Sequence, residues 1–320
     1  MSESDSLVMH TTARLFEDLG DPQTINADAE GNWRAPLWDA LEDTGLTRTW
    51  VPETLGGAGA DIVDGFDVLR VSGQFAVAVP LAETLLAGWM LTQAGIEIPA
   101  SGKMTTTAGP GLHMDGELVQ GDAGQVPFGR EADYIVAVTT DADGARQAAL
   151  LESAQCTVRA GESLSREPRD SVSFRGARPI AHAPLPAGWR SDLDAIGALV
   201  RAVQMAGALR GVLDMCVQYA SERVAFERPI AKFQAVQHNL ARLAGEFAAA
   251  NAAANSAAYA LANEATGEQS LFVEIAAAKV RAGQAAHEGG MIAHQVHGAI
   301  GFTMEHILHR YTHRLWSWRD

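Results

Sequence analysis

Four long runs of apolar residues at three- and four-residue spacing, Ala195–Phe226, Ala235–Glu264, Leu271–Val296 and Met304–Trp318, limit the last third of this chain to packed helices. Short turns between the runs make successive helices antiparallel, so the pattern predicts a four-helix bundle. On the second run Val236, Leu240, Leu243 and Phe247 mark one apolar face. The alanine-rich stretch 248–265 suits close helix contact and is core material, not a linker.

The first hundred residues carry the same spacing in shorter runs, Leu7–Leu19, Pro36–Thr44, Ile62–Phe75 and Leu81–Gln93. From Lys103 to Pro186 the character changes. Glu117–Gln120, Asp133–Thr139, Gln147–Leu151 and Gln155–Val158 are short β-rich runs between Gly, Asp and Ser turns, and they predict a small antiparallel barrel or sandwich. The expected architecture is α+β and mostly helical. It comprises a helical domain over 1–102, a central β domain over 103–188 and a helical bundle over 189–320.

A chain of 320 residues with a net charge of −15 and a pI near 5.0 has no basic stripe for a nucleic-acid surface. No stretch approaches eighteen consecutive apolar residues, which argues against a membrane span. The start, Met1-Ser-Glu-Ser-Asp-Ser, lacks the basic and apolar regions of a secretory leader. Cys156 and Cys216 lie in unlike contexts and read as reduced, buried thiols. Together these features predict a cytoplasmic protein without nucleic-acid or membrane partners.

Function concentrates at the corner between the first two bundle runs. Residues 219–240 place Arg223, Phe226, Pro229, Ile230, Phe233, Gln234 and Gln237 around a proline-marked turn. A guanidinium there can grip phosphate oxygens with its planar fork, and glutamine amides can bond sugar or amide edges. Residue chemistry alone gives no more than a polar site at a helix corner, and a capped turn with solvated charges is the simpler reading of this segment by itself. A second segment, Gln295-Val-His-Gly-Ala-Ile-Gly-Phe-Thr-Met-Glu, puts Gly298 and Gly301 in a loop between helices, where backbone can approach a ligand.

The order and spacing of these two segments resemble the flavin-site signature of the acyl-CoA dehydrogenases. Trp50-Val-Pro-Glu-Thr-Leu-Gly-Gly-Ala-Gly likewise resembles a connector in that family's amino-terminal helical domain. The resemblance implies FAD as cofactor and α,β-dehydrogenation of an acyl-CoA thioester, with a glutamate removing the α proton. It also implies that one subunit donates an arginine and glutamines to the FAD of another. On this chain the donated half would comprise Arg223, Phe226, Gln234, Gln295, Gly298, Ala299 and Gly301. Ala299 and Glu227 stand where the family commonly has glycine.

The rest of the family's site is altered. The β-domain segments that contact flavin and substrate are replaced by Met104-Thr-Thr-Thr-Ala-Gly-Pro-Gly and Gly124-Gln-Val-Pro-Phe-Gly. The usual base position lies just past Trp318-Arg319-Asp320, and the minority position falls at Gly197, which cannot act as a base. Asp194 reads as a helix-start charge and Asp320 as a solvated terminal carboxylate. The resemblance thus implies the smaller subunit of a heteromeric, α2β2 enzyme of the bacterial steroid-catabolic type. A larger subunit would supply the base, and the isolated chain would be inactive. The alternatives are a stand-alone, homo-oligomeric enzyme whose base is unrecognised or lost by truncation of the carboxyl end, and a non-catalytic scaffold subunit without flavin contact.

Other chemistries have weaker signals. His306, His309 and His313 share a helical face able to hold a metal, but no His-Glu-x-x-His, paired cysteines or aspartate cluster accompanies them. Histidines lining an interface or a nucleotide are the preferred reading, with no metal assigned. No nucleophile elbow for hydrolysis is present.

Overall fold

The computed structural model describes residues 3–28 and 30–320, so Met1 and Ser2 of the polar start lie outside the described residues. Five helices come first: α1 (Glu3–Leu19), α2 (Pro22–Ala27), α3 (Arg34–Asp43), α4 (Ile62–Gln74) and α5 (Leu81–Gln93). Seven strands follow: β1 (Met104–Asp115), β2 (Leu118–Pro127), β3 (Tyr134–Thr140), β4 (Arg146–Glu152), β5 (Thr157–Arg159), β6 (Arg169–Ala177) and β7 (Ala181–Pro184). The chain then forms α6 (Leu193–Glu222), a two-stranded hairpin of β8 (Val224–Ala225) and β9 (Arg228–Pro229), α7 (Gln234–Ala262), α8 (Glu268–His297) and α9 (Leu308–Arg319).

By contact the chain divides into two compact units. One gathers Met1–Leu37, Phe66–Val77 and Ala198–Asp320, the other Trp38–Gly65 and Ala78–Gly197. The second unit holds the sheet, in the order β5-β6-β2-β1-β3-β4-β7. The sheet is mixed, which corrects the purely antiparallel expectation: β1 and β3 pair in parallel, Met104 opposite Tyr134 through Ala108 opposite Val138. The reason is topological. The chain reverses after β1 to form β2, then reverses again to enter the sheet on the far side of β1 as β3. One face buries Leu112, Val119, Ile135, Leu151, Val172 and Phe174, and α5 packs on β1, β3 and β4.

The first unit is helical. α6 is long and apolar enough to cross a membrane by length and composition, yet 67% of that window is buried inside the fold, as for a core helix. Close approach is built from small residues: a Cβ on Gly207 of α6 would sit 1.9 Å from the Arg70 carbonyl oxygen of α4. Tyr311 of α9 donates to the Gln74 carbonyl at 2.8 Å. α7 and α8 run antiparallel, with buried Ala250, Ala254 and Ala257 facing a partner rich in alanine, including Ala278, Ala282 and Ala285. Their surface pairs set the register: Ser256 with Glu274, Glu246 with Arg281 and Arg242 with Glu288.

Candidate functional site

The site residues gather at one end of the helical unit. Arg223 directly follows α6, Gln234 opens α7, and Gln295 lies in the last turn of α8. Continuing the α7–α8 register beyond Arg242 and Glu288 brings Gln234 level with Gln295 on the neighbouring helix. Arg223, Gln234 and Gln295 are exposed, and none of their side chains makes a hydrogen bond or ion pair among the described residues. α7 begins with no side-chain cap, so the first amides of a 29-residue helix add donors there. Gln237 is used internally instead, its Nε2 donating to the Ala231 carbonyl at 2.9 Å.

Between Arg223 and Gln234 the chain turns through the β8–β9 hairpin, closed by Ile230 N–H to the Arg223 carbonyl at 2.8 Å. Phe226 and Glu227 form its tip, with Phe226 88% exposed and edge-on to Phe233 at 6.2 Å. The Arg228 guanidinium lies 4.3 Å over the Phe233 ring. The hairpin thus presents an apolar ring beside the free arginine.

The glycine segment uses its two glycines differently. Gly298 ends α8 at φ 63°, ψ −141°, and a Cβ there would meet nothing within 4 Å. Gly301 is buried, and a Cβ on it would press His297 Cβ at 2.9 Å and Leu308 Cδ2 at 3.1 Å. Ligand access was the sequence reason for both; at Gly301 internal packing accounts for the glycine. Ala299 is exposed on the short 3-10 turn Gly298–Phe302.

The histidines do not assemble as ligands. His306 turns its ring to His297 at 4.6 Å, while His309 and His313 meet edge-on at 6.0 Å. Among the described residues no three His, Cys, Asp or Glu side chains group to hold a metal. Both cysteines are free thiols, and burial pushes them up to about 11 for Cys156 and about 12 for Cys216.

Residues 188–317, covering the bundle, match the family model described as acyl-CoA dehydrogenase, C-terminal domain. Over 98% of its length the chain is 29% identical to acyl-CoA dehydrogenase IpdE2 of Mycolicibacterium smegmatis, covering 93% of that protein. Residues 188–317 are thus an acyl-CoA dehydrogenase C-terminal domain. Solved structures show the same fold. The ChsE4-ChsE5 complex from Mycobacterium tuberculosis aligns with a TM-score of 0.86 at 21% identity, over 99% of this chain and 93% of that one. The Tcur3481-Tcur3483 steroid ACAD G363A variant aligns at 0.83 and 23%, over 99% and 92%.

Gly197 packs against Leu86 and offers no carboxylate. Asp192 caps α6 through the Ala195 N–H at 2.9 Å and pairs with Arg146 at 2.9 Å. Asp194, read from sequence as the helix-start charge, is in the first turn but lines a cavity of about 350 Å³ with Ala108, Gly109, Leu112 and Thr139. Sequence reasoning missed this cavity, because its lining comes from four separated segments. Asp320 is held by Arg319 Nε at 2.9 Å.

Proposed function

We propose that this chain is a subunit of an FAD-dependent acyl-CoA dehydrogenase and donates half of a cofactor site to a larger partner subunit. The carrying observation is the set of unspent donors at one end of the bundle: Arg223, Gln234, Gln295 and the uncapped start of α7. Their chemistry fits a pyrophosphate flanked by sugar, with Arg223 as the bidentate grip, the glutamines as amide donors and acceptors, and Phe226 as an apolar wall. Gly298, Ala299 and Gly301 shape the turn beside them. When bound, FAD supplies acceptance of a hydride from the β carbon, paired with α-proton removal by a carboxylate. With glycine at 197, that carboxylate belongs to the partner in this reading.

A second face of α8 supports an obligate partner. Val273, Ala277, Val280, Gln284, His287 and Met291 are all exposed at alternating four- and three-residue spacing, the pattern of a helix-packing seam. The stripe runs toward Gln295. An α2β2 assembly is the arrangement proposed, and likeness to the steroid ACAD supports a steroid-derived acyl-CoA as substrate.

Replacing Arg223 with Ala in the co-expressed complex tests donation. A charge-assisted contact contributes about 1.5–3 kcal/mol, so the complex should shed FAD on gel filtration. Full flavin retention would leave a scaffold role. The Asp194 cavity favours one other reading, a self-sufficient enzyme. Activity of the isolated chain, abolished by Asp194→Asn, would establish it.

A further inference from the structure

Tyr219 lies on α6 one turn before Arg223, whose backbone N–H bonds the Tyr219 carbonyl at 2.8 Å. Its hydroxyl donates to the His297 carbonyl at 3.3 Å, and the two rings stack at 4.4 Å and 28°. His297 immediately precedes Gly298. The imidazole is itself fixed: Nδ1 is 2.9 Å from the Ala293 carbonyl, which can only accept, so Nδ1 carries the proton. Cys216 Sγ lies 3.9 Å from that nitrogen, and the His306 ring packs on the outer side of His297 and edge-on to Tyr219. Nε2 of His297 is buried with no partner among the described residues.

His297 is buried and Tyr219 half-buried, whereas Arg223 is exposed. What Tyr219 and His297 join are the two segments that do face solvent, the Arg223 corner and the glycine turn. The bond and stack tie the end of α6 directly to the end of α8, beside the Cys216 and His306 contacts. We infer that Tyr219 is a positioning residue, which through His297 holds the Gly298–Phe302 turn at a set place relative to Arg223. This rests on the reading that both segments serve one nucleotide cofactor. The lock orders the turn before any cofactor arrives, which lowers the ordering cost of binding.

The test uses Tyr219→Phe, which keeps the stacked ring and removes only the donor. Amide exchange at Gly298–Phe302 in the isolated chain should accelerate about three- to tenfold, the range of one net hydrogen bond. FAD affinity of the co-expressed complex should weaken by a similar factor. The melting temperature should fall by no more than the few degrees that one hydrogen bond is worth. If Arg223→Ala releases FAD but Tyr219→Phe leaves both exchange and FAD affinity unchanged, the positioning role is wrong. Faster exchange throughout the bundle would also overturn it, as a general loss of packing. Full FAD retention by Arg223→Ala overturns the underlying site reading instead.

Discussion

Phe226 and Glu227, adjacent at the tip of the β8–β9 hairpin, both adopt left-handed backbone, with φ 49° and 65°. Two-residue hairpins with positive φ at both positions favour Asn-Gly, because a Cβ crowds the backbone there. The sequence departure at Glu227 therefore has a structural consequence: the turn keeps the shape that glycine permits, under strain. Glu227→Gly should raise stability by about 1 kcal/mol, read as a higher urea midpoint with an unchanged slope. No gain would mean that the glutamate is held by contacts that offset the strain.

The two glycines of the turn should fail in different ways. Gly301→Ala forces a Cβ onto His297 and Leu308, and overpacking of this kind costs about 1–3 kcal/mol. Gly298→Ala meets open space, so its cost is confined to backbone strain at φ 63°. Urea unfolding should show both losses. Amide exchange at Leu308 and Thr312 on α9 should rise selectively for Gly301→Ala, since only that change presses on α9.

Acid should loosen the same region. Burial holds the pKa of His297 down at about 4, with His306 and His294 adding positive charge when they titrate. The folded imidazole thus binds a proton less readily than the unfolded one, so the unfolded state takes up more protons on acidification. Stability from this group is fully present above the unfolded histidine value of about 6.5 and falls as the pH drops toward 4. His294, His306 and His309 are lowered in the same direction by burial and share the slope. Urea midpoints between about pH 7 and about pH 5 should decline, and His297→Gln should make that decline shallower. An unchanged slope would place the titration elsewhere.

Periodicity made the long helices readable, and α4, α5 and the bundle helices lie close to their expected spans. α2 escaped because it is six residues long, although Asp21 capping Thr24 N–H ahead of Pro22 was a readable start signal. β6 escaped because a charge occupies an inward position. Asp170 is fully buried there, accepting from the Arg130 and Gly161 amides, and it breaks the apolar alternation. In β1 the inward residues include Thr105 and Thr107, polar by composition yet buried. Arg223 and Gln295 were legible only through resemblance, since a lone arginine or glutamine has no signature. The Tyr219–His297 contact was not legible at all, because it joins positions 78 residues apart that no local pattern connects.

FAD content, read from flavin absorbance per mole of protein, tests the central claim most directly. It should be measured on the isolated chain and on the chain purified with its larger subunit. The account predicts no stoichiometric flavin and no turnover in the isolated chain, full flavin in the complex, and loss of that flavin with Arg223→Ala. Stoichiometric FAD with acyl-CoA dehydrogenation by the isolated chain would contradict it.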